Sequence, residues 1–205
     1  MRDLDKALAE ISEIRSQLAR DTEFRGYGPM TLAATGCLAL LAAIFQAMWL
    51  ANPTDDISAY LGLWIVTAAL SIVVVGVEVL VRARRVHSGF AGEMIQAAVE
   101  QFLPAAMAGA MLTAVLVRFV PASLGLLPGL WQVVFSLGVF ASCRFLPRAM
   151  FAVGIWYLGT GLFCLAFASG EQALSPWAMG IPFGVGQLLV AAVLFHNRRG
   201  TDETA

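Results

Sequence analysis

Apolar residues do not alternate along this chain; they gather in six long runs, at about 29–51, 57–81, 102–120, 125–145, 148–168 and 175–196, parted by short polar or turn-forming stretches. Each run is close to the roughly 20 residues that a helix needs to cross a hydrocarbon layer, whereas a barrel strand needs only ~9–11 and would alternate. Helices and closed barrels are the ways to satisfy backbone hydrogen bonds in lipid, so the runs predict helices. The expected fold class is all-α, a polytopic membrane protein whose six transmembrane helices form three in-out-in hairpins. Short loops fix the pairing as 1–2, 3–4 and 5–6.

Ahead of the first run the period changes. In LDKALAEISEIRSQLA, Leu4, Ile11 and Leu18 fall seven apart with Ala7 and Ile14 between them, and Leu8 widens the stripe. This is the pattern of an amphipathic helix, too short to establish a coiled coil. Its polar face carries both signs of charge, unlike the Lys/Arg-rich face that anionic lipid selects. Two uses stay open: packing on the protein's own inner face, or partner binding through Leu4, Ile11 and Leu18, to a second copy or a cytoplasmic protein. A second such piece, SGFAGEMIQAAVEQ at 88–101, is expected to lie along the inner interface ahead of helix 3. The domain plan is therefore 1–25 as a cytoplasmic amphipathic helix, 26–197 as the six-helix bundle and 198–205 as a cytoplasmic tail.

Composition agrees with the pattern. Of 205 residues 59% are hydrophobic and 13% charged, with a mean hydropathy of +0.77; soluble domains carry about 45–50% apolar and about 25% charged residues. Charge then sets the orientation. Lys6, Arg2, Arg15, Arg20 and Arg25 precede helix 1, Arg82, Arg84 and Arg85 follow helix 2, Arg144 and Arg148 join helices 4 and 5, and Arg198 and Arg199 follow helix 6. Arg118 alone falls on the other side, where Asp55, Asp56 and Glu171 lie. The positive-inside bias places both termini in the cytoplasm. The charged, amphipathic start predicts a first span that is retained as the targeting signal rather than cleaved. Trp49, Trp64, Trp131 and Trp177 all fall at outer helix ends, as an interfacial belt would place them.

Several local patterns repeat. YGPM at 27–30, FLPA at 102–105 and FLPR at 145–148 each put an aromatic-x-Pro where an odd-numbered helix is expected to start, a position at which proline removes no hydrogen bond. GLW recurs at 62–64 and 129–131, with SPW at 175–177. Three copies of one ancestral hairpin, related by an axis along the membrane normal, would explain this. Generic membrane grammar would explain it too.

Polar groups within the runs are the candidate functional residues, because lipid makes them costly. Glu78 stands one turn from the inner end with Arg82 four residues on, in register for an ion pair that snorkels to the interface. Gln187 is deeper, in GIPFGVGQLLV, where Pro182 interrupts helix 6 and Gly180, Gly184 and Gly186 leave room for a neighbouring backbone. Such a helix is read either as a packing face with a kink or as the lining of a polar pathway, to which Gln132, Trp156, Tyr157 and Thr160 would contribute. His87 and His196 sit beside arginines with no ligand spacing, and Cys37, Cys143 and Cys164 are scattered in apolar helices. Neither set suits a metal, a haem or disulfides, and no GxSxG, HExxH, P-loop or GxGxxG motif is present. No cofactor, metal, catalytic residue or nucleic-acid partner is expected.

The stretch EIRSQLARDTEFRGYGPMTLAATGCLALLAA, the hairpin end EVLVRARR and LPGLWQVVFSLGVFASCRFLPRAM together resemble a group of uncharacterised bacterial six-helix membrane proteins. In that group an IRxxMERxxxFTxVPGxG lead-in and LPGLW in the fourth span are expected, often beside a gene for a winged-helix regulator. FRGYGP here departs from FTxVPG. The resemblance implies a bacterial inner-membrane protein with a non-enzymatic role near regulation or stress response. Two function classes follow: a membrane-embedded interaction or sensory protein, and a permease or channel for small solutes or lipophilic compounds with its path between hairpins. They differ in whether Gln187, Gln132 and Tyr157 converge on one cavity.

Overall fold

A computed structural model describes residues 28–50, 52–85, 89–143, 150–167 and 172–202. Every regular element among them is helical: α1 (Pro29–Trp49), α2 (Ile57–Arg85), α3 (Gly89–Phe119), a 3-10 turn (Pro121–Leu126), α4 (Leu127–Ser142), α5 (Met150–Phe167) and α6 (Pro176–Asp202). Six stretches are long and apolar enough to span a bilayer: Pro29–Trp49, Ile57–Glu78, Glu100–Phe119, Pro121–Ser142, Met150–Phe167 and Pro176–His196. The chain is a multi-pass all-α membrane protein, with spans within a few residues of those read from hydropathy. The N-terminal segment carrying Leu4, Ile11 and Leu18 lies outside the described residues, as do Tyr27, Phe145 and Pro147.

Helix starts follow local chemistry. Pro29 opens α1 after Gly28. Asp56 caps α2: its Oδ1 accepts from Ser58 Oγ at 2.6 Å and from the Ala59 N–H at 3.0 Å. Those two bonds hold the Asp56 carboxyl below its ordinary pKa, because both favour the charged form. Pro104 behaves differently from the expectation. It lies inside α3, which runs unbroken from Gly89 to Phe119, so residues 89–101 are continuous with the third helix. The carbonyl four residues before this proline is that of Glu100, an exposed residue at the end of the span.

The most extensive interfaces are α1 with α6 and α4 with α5; α3 then packs on α4, α2 on α1 and α5 on α6. The helices therefore follow one another as α2, α1, α6, α5, α4, α3, with α2 and α3 outermost. The six-helix hairpin plan holds, yet the central contact joins the first helix to the last. Small residues explain it. A methyl added at Gly36 would lie 2.9 Å from the Gly184 carbonyl oxygen, one at Gly184 would lie 2.7 Å from Leu40, and one at Gly180 would strike Ala43. Backbones this close gain van der Waals contact that larger residues would forbid. Gly129 and Gly161 do the same between α4 and α5, each facing the other's carbonyl.

Candidate functional site

The bundle has two ends: a basic end, where α2 closes on Arg82, Arg84 and Arg85, and a distal end, where α1, α3 and α5 finish. Buried polar side chains occur in both halves, and those that join helices lie toward the distal end. Gln46, near the end of α1 and fully buried, donates from Nε2 to the Leu174 carbonyl at 2.8 Å and accepts at Oε1 from Trp64 Nε1 at 2.8 Å. It fastens α1 to α2 and to the turn that leads into α6.

Trp64 is only 4% exposed, so it is a clamp within the first hairpin and not a belt residue. Trp131 has the same role in the second, donating to Thr113 Oγ1 at 2.7 Å, while Thr113 donates to the Gly109 carbonyl. Both indoles reach a partner 18 residues earlier. Trp49 and Trp177, at 75% and 47% exposure, keep the exposed helix-end positions expected of a belt. The third hairpin is joined otherwise: Trp156 Nε1 donates to the Pro182 carbonyl at 3.0 Å.

Pro182 lies inside α6, and a proline there strips the carbonyl four residues earlier of its N–H partner. That carbonyl belongs to Ala178. Gln132 Nε2 donates to it at 2.8 Å and to the Pro128 carbonyl at 3.0 Å. The side chain of α4 thus repairs the gap that proline opens in α6, as lipid requires. LPGLWQ now reads residue by residue: Leu127 and Pro128 are buried at the helix start, Gly129 meets Gly161, Trp131 clamps α3 and Gln132 mends α6.

Midway through the bundle, rings from four helices meet. Phe135, Tyr157 and Phe183, from α4, α5 and α6, form a triangle with centroids 4.7, 5.2 and 5.5 Å apart, and Phe102 of α3 adds an edge contact to Phe135 at 5.2 Å. Beyond it, toward the basic end, the buried Tyr157 hydroxyl lies over Gly186 and beside Gln187. Gln187 Cβ in turn packs near Gly36.

The residues singled out from sequence are thus partly brought together. Tyr157 and Gln187 are neighbours; Gln132 is bonded to α6 at Ala178, about two and a half turns from Gln187, on the other side of the ring triangle. Thr160 bonds its own helix at the Trp156 carbonyl. Glu78, half-buried on α2, belongs to neither group, and the side chain of Arg82 falls outside the described residues. Gly180, Gly184 and Gly186 are packing positions, and Pro182 is an interruption that side chains mend.

Sequence reasoning missed Gln46, Tyr60 and the setting of Cys164. Gln46 had a signal, since it precedes the GLW tryptophan by the same 18 residues as Thr113 does. An open apolar groove of about 780 Å³ also runs between α1 and α2, lined by Leu38, Leu41, Phe45, Met48, Gly62 and Val66 among others, and none of the candidate residues lines it. Among the described residues no three His, Cys, Asp or Glu side chains come together. Comparison with known protein families, curated proteins and solved structures returned no match.

Proposed function

We propose that this chain is a non-enzymatic interaction or sensory protein of the bacterial inner membrane, with both termini in the cytoplasm, and not a permease. The observation that carries the reading is the Phe135, Tyr157 and Phe183 triangle, which stands between Gln132 and Gln187 and separates the two amides a polar pathway would have to connect. Gln132 gives both of its N–H groups to main-chain carbonyls, so its amide nitrogen has nothing left for a passing solute. The N-terminal stripe of Leu4, Ile11 and Leu18 supplies the cytoplasmic contact, to a second copy or a partner protein. The twelve inner Lys and Arg residues support the orientation.

Proteoliposome swelling tests the choice. Vesicles holding the wild-type protein, placed in hyperosmotic glycerol or urea, should swell no faster than protein-free vesicles. Faster swelling that Gln187→Leu abolishes would overturn the reading and establish the permease.

A further inference from the structure

The two outermost helices are the least covered of the bundle, with 17% of the α2 span and 6% of the α3 span buried. Each packs along one stripe and leaves the rest open, and the two open faces have opposite relief. The α1–α2 face is hollow. Its groove of about 780 Å³ runs from Met48 and Ala59 near the distal end to Leu38 and Leu70, over about 16 Å at ~1.5 Å per residue. Gly62 lines it, and a methyl added there meets nothing. The α3 face is raised. Leu103, Met107, Met111 and Val115 recur every fourth residue and all are exposed, and side chains at that spacing stand in one ridge.

Ridge and groove match in depth. Counted from the distal helix ends, Gly62, Val66 and Leu70 lie ~8, ~14 and ~20 Å along α2, and Val115, Met111 and Met107 lie ~6, ~12 and ~18 Å along α3. Charge matches at the same placement. Arg118, exposed and three residues beyond Val115 on the same face, ends α3 at the level where exposed Asp55 and Asp56 precede α2. Within one chain the two features stay apart, since α3 packs on α4 and α2 on α1. A second copy is needed to bring them together.

We propose that copies of this chain dock head to tail in the bilayer, the α3 ridge of one filling the α1–α2 groove of the next. Copies inserted in one orientation set these helices antiparallel, which brings Arg118 to Asp55 and Asp56. Symmetric pairing does the reverse: groove on groove faces Asp with Asp, and ridge on ridge faces Arg118 with Arg118. Charge at the distal surface therefore selects the partner and the register, while close packing in lipid supplies the attraction. A head-to-tail contact leaves a free groove at one end and a free ridge at the other, so assembly continues past a dimer until a ring closes. This contact stands apart from the choice between sensor and permease, which the swelling assay decides.

Disulfide cross-linking tests it. Two differently tagged copies, both with Cys37→Ala, Cys143→Ala and Cys164→Ala, are co-expressed and oxidised in their native membranes with copper phenanthroline. One carries Gly62→Cys and the other Val115→Cys. The pair should yield a mixed dimer, neither copy alone should yield any, and one chain carrying both changes should yield products longer than a dimer. Leu103→Cys, ~24 Å from the distal end, should not replace Val115→Cys. Arg118→Asp in the ridge copy should lower the mixed product several-fold, and Asp55→Arg in the groove copy should restore it. Gly62→Cys meets no atom of its own chain, so an unchanged melting temperature separates a missing contact from a failed fold. Gly62→Cys copies that link to one another would establish symmetric pairing and overturn the proposal. A folded protein with no product in any combination, its two faces left to acyl chains, would overturn it as well, and a yield indifferent to both charge changes would remove the register.

Discussion

A single amide decides how helix α6 survives in lipid. Pro182 removes the N–H that the Ala178 carbonyl would accept; Gln132 supplies a replacement from α4 at 2.8 Å, and the Cys164 thiol of α5 a longer, weaker one at 3.8 Å. Gln132→Leu should therefore destabilise the protein by about 1–3 kcal/mol, the cost of an orphaned buried acceptor. Gln187→Leu should cost less, since an interhelical hydrogen bond in membranes averages about 0.6 kcal/mol and Gln187 is only half-buried. The causal claim is tested by a double-mutant cycle. Pro182→Ala restores a backbone N–H to the Ala178 carbonyl, so Gln132→Leu should cost markedly less in that background. Thermal unfolding of the four proteins checks it, and additive effects would break the link between the proline and the amide.

At the scale of elements, what the sequence made legible was what hydropathy alone controls. The span limits follow from the thickness of the hydrocarbon layer, and each apolar run became one helix. The choice of neighbours was not legible, because in lipid it depends on shape between segments far apart in the chain. GxxxG at 180–184 announced a packing face but not its partner; the partner is α1, through Gly36, Ala39 and Ala43. The repeated aromatic-x-Pro misled for a related reason. Pro29 lies 17 positions before Gln46 and Pro104 only 9 before Thr113, so hairpins aligned on their tryptophan clamps set the two prolines at different depths. One opens a helix and the other lies within one. Gly184→Leu tests the α1–α6 contact: its side chain must displace Leu40, and overpacking of this kind typically costs about 1–3 kcal/mol. Gly62→Leu is the control, because an added methyl there meets nothing. The expected outcome is a clear drop in melting temperature for the first and almost none for the second.

For the molecule as a whole, the order α2, α1, α6, α5, α4, α3 bears on both repetition and orientation. Three hairpins related by an axis along the membrane normal would each turn the same member inward. Here the first hairpin docks through its leading helix, α1, and the second through its trailing helix, α4, so the shared clamp geometry does not extend to a shared way of docking. Orientation does not depend on repetition. It rests on the sequence, which sets the basic residues beside the helix ends opposite those flanked by Asp55, Asp56 and Arg118, and on the distal contacts that tie the remaining loops together. Gln46 reaches Leu174 and Gly125 touches Ala173, so the turn before α6 lies at the same end as the loop between α1 and α2. Reporter fusions after residues 54 and 171 should therefore give the same answer, and by the positive-inside bias that answer is periplasmic. Fusions after residues 86 and 200 should read cytoplasmic. Agreement of the first pair with each other but on the cytoplasmic side would invert the protein and leave the packing intact. A split between residues 54 and 171 would contradict the distal contacts themselves.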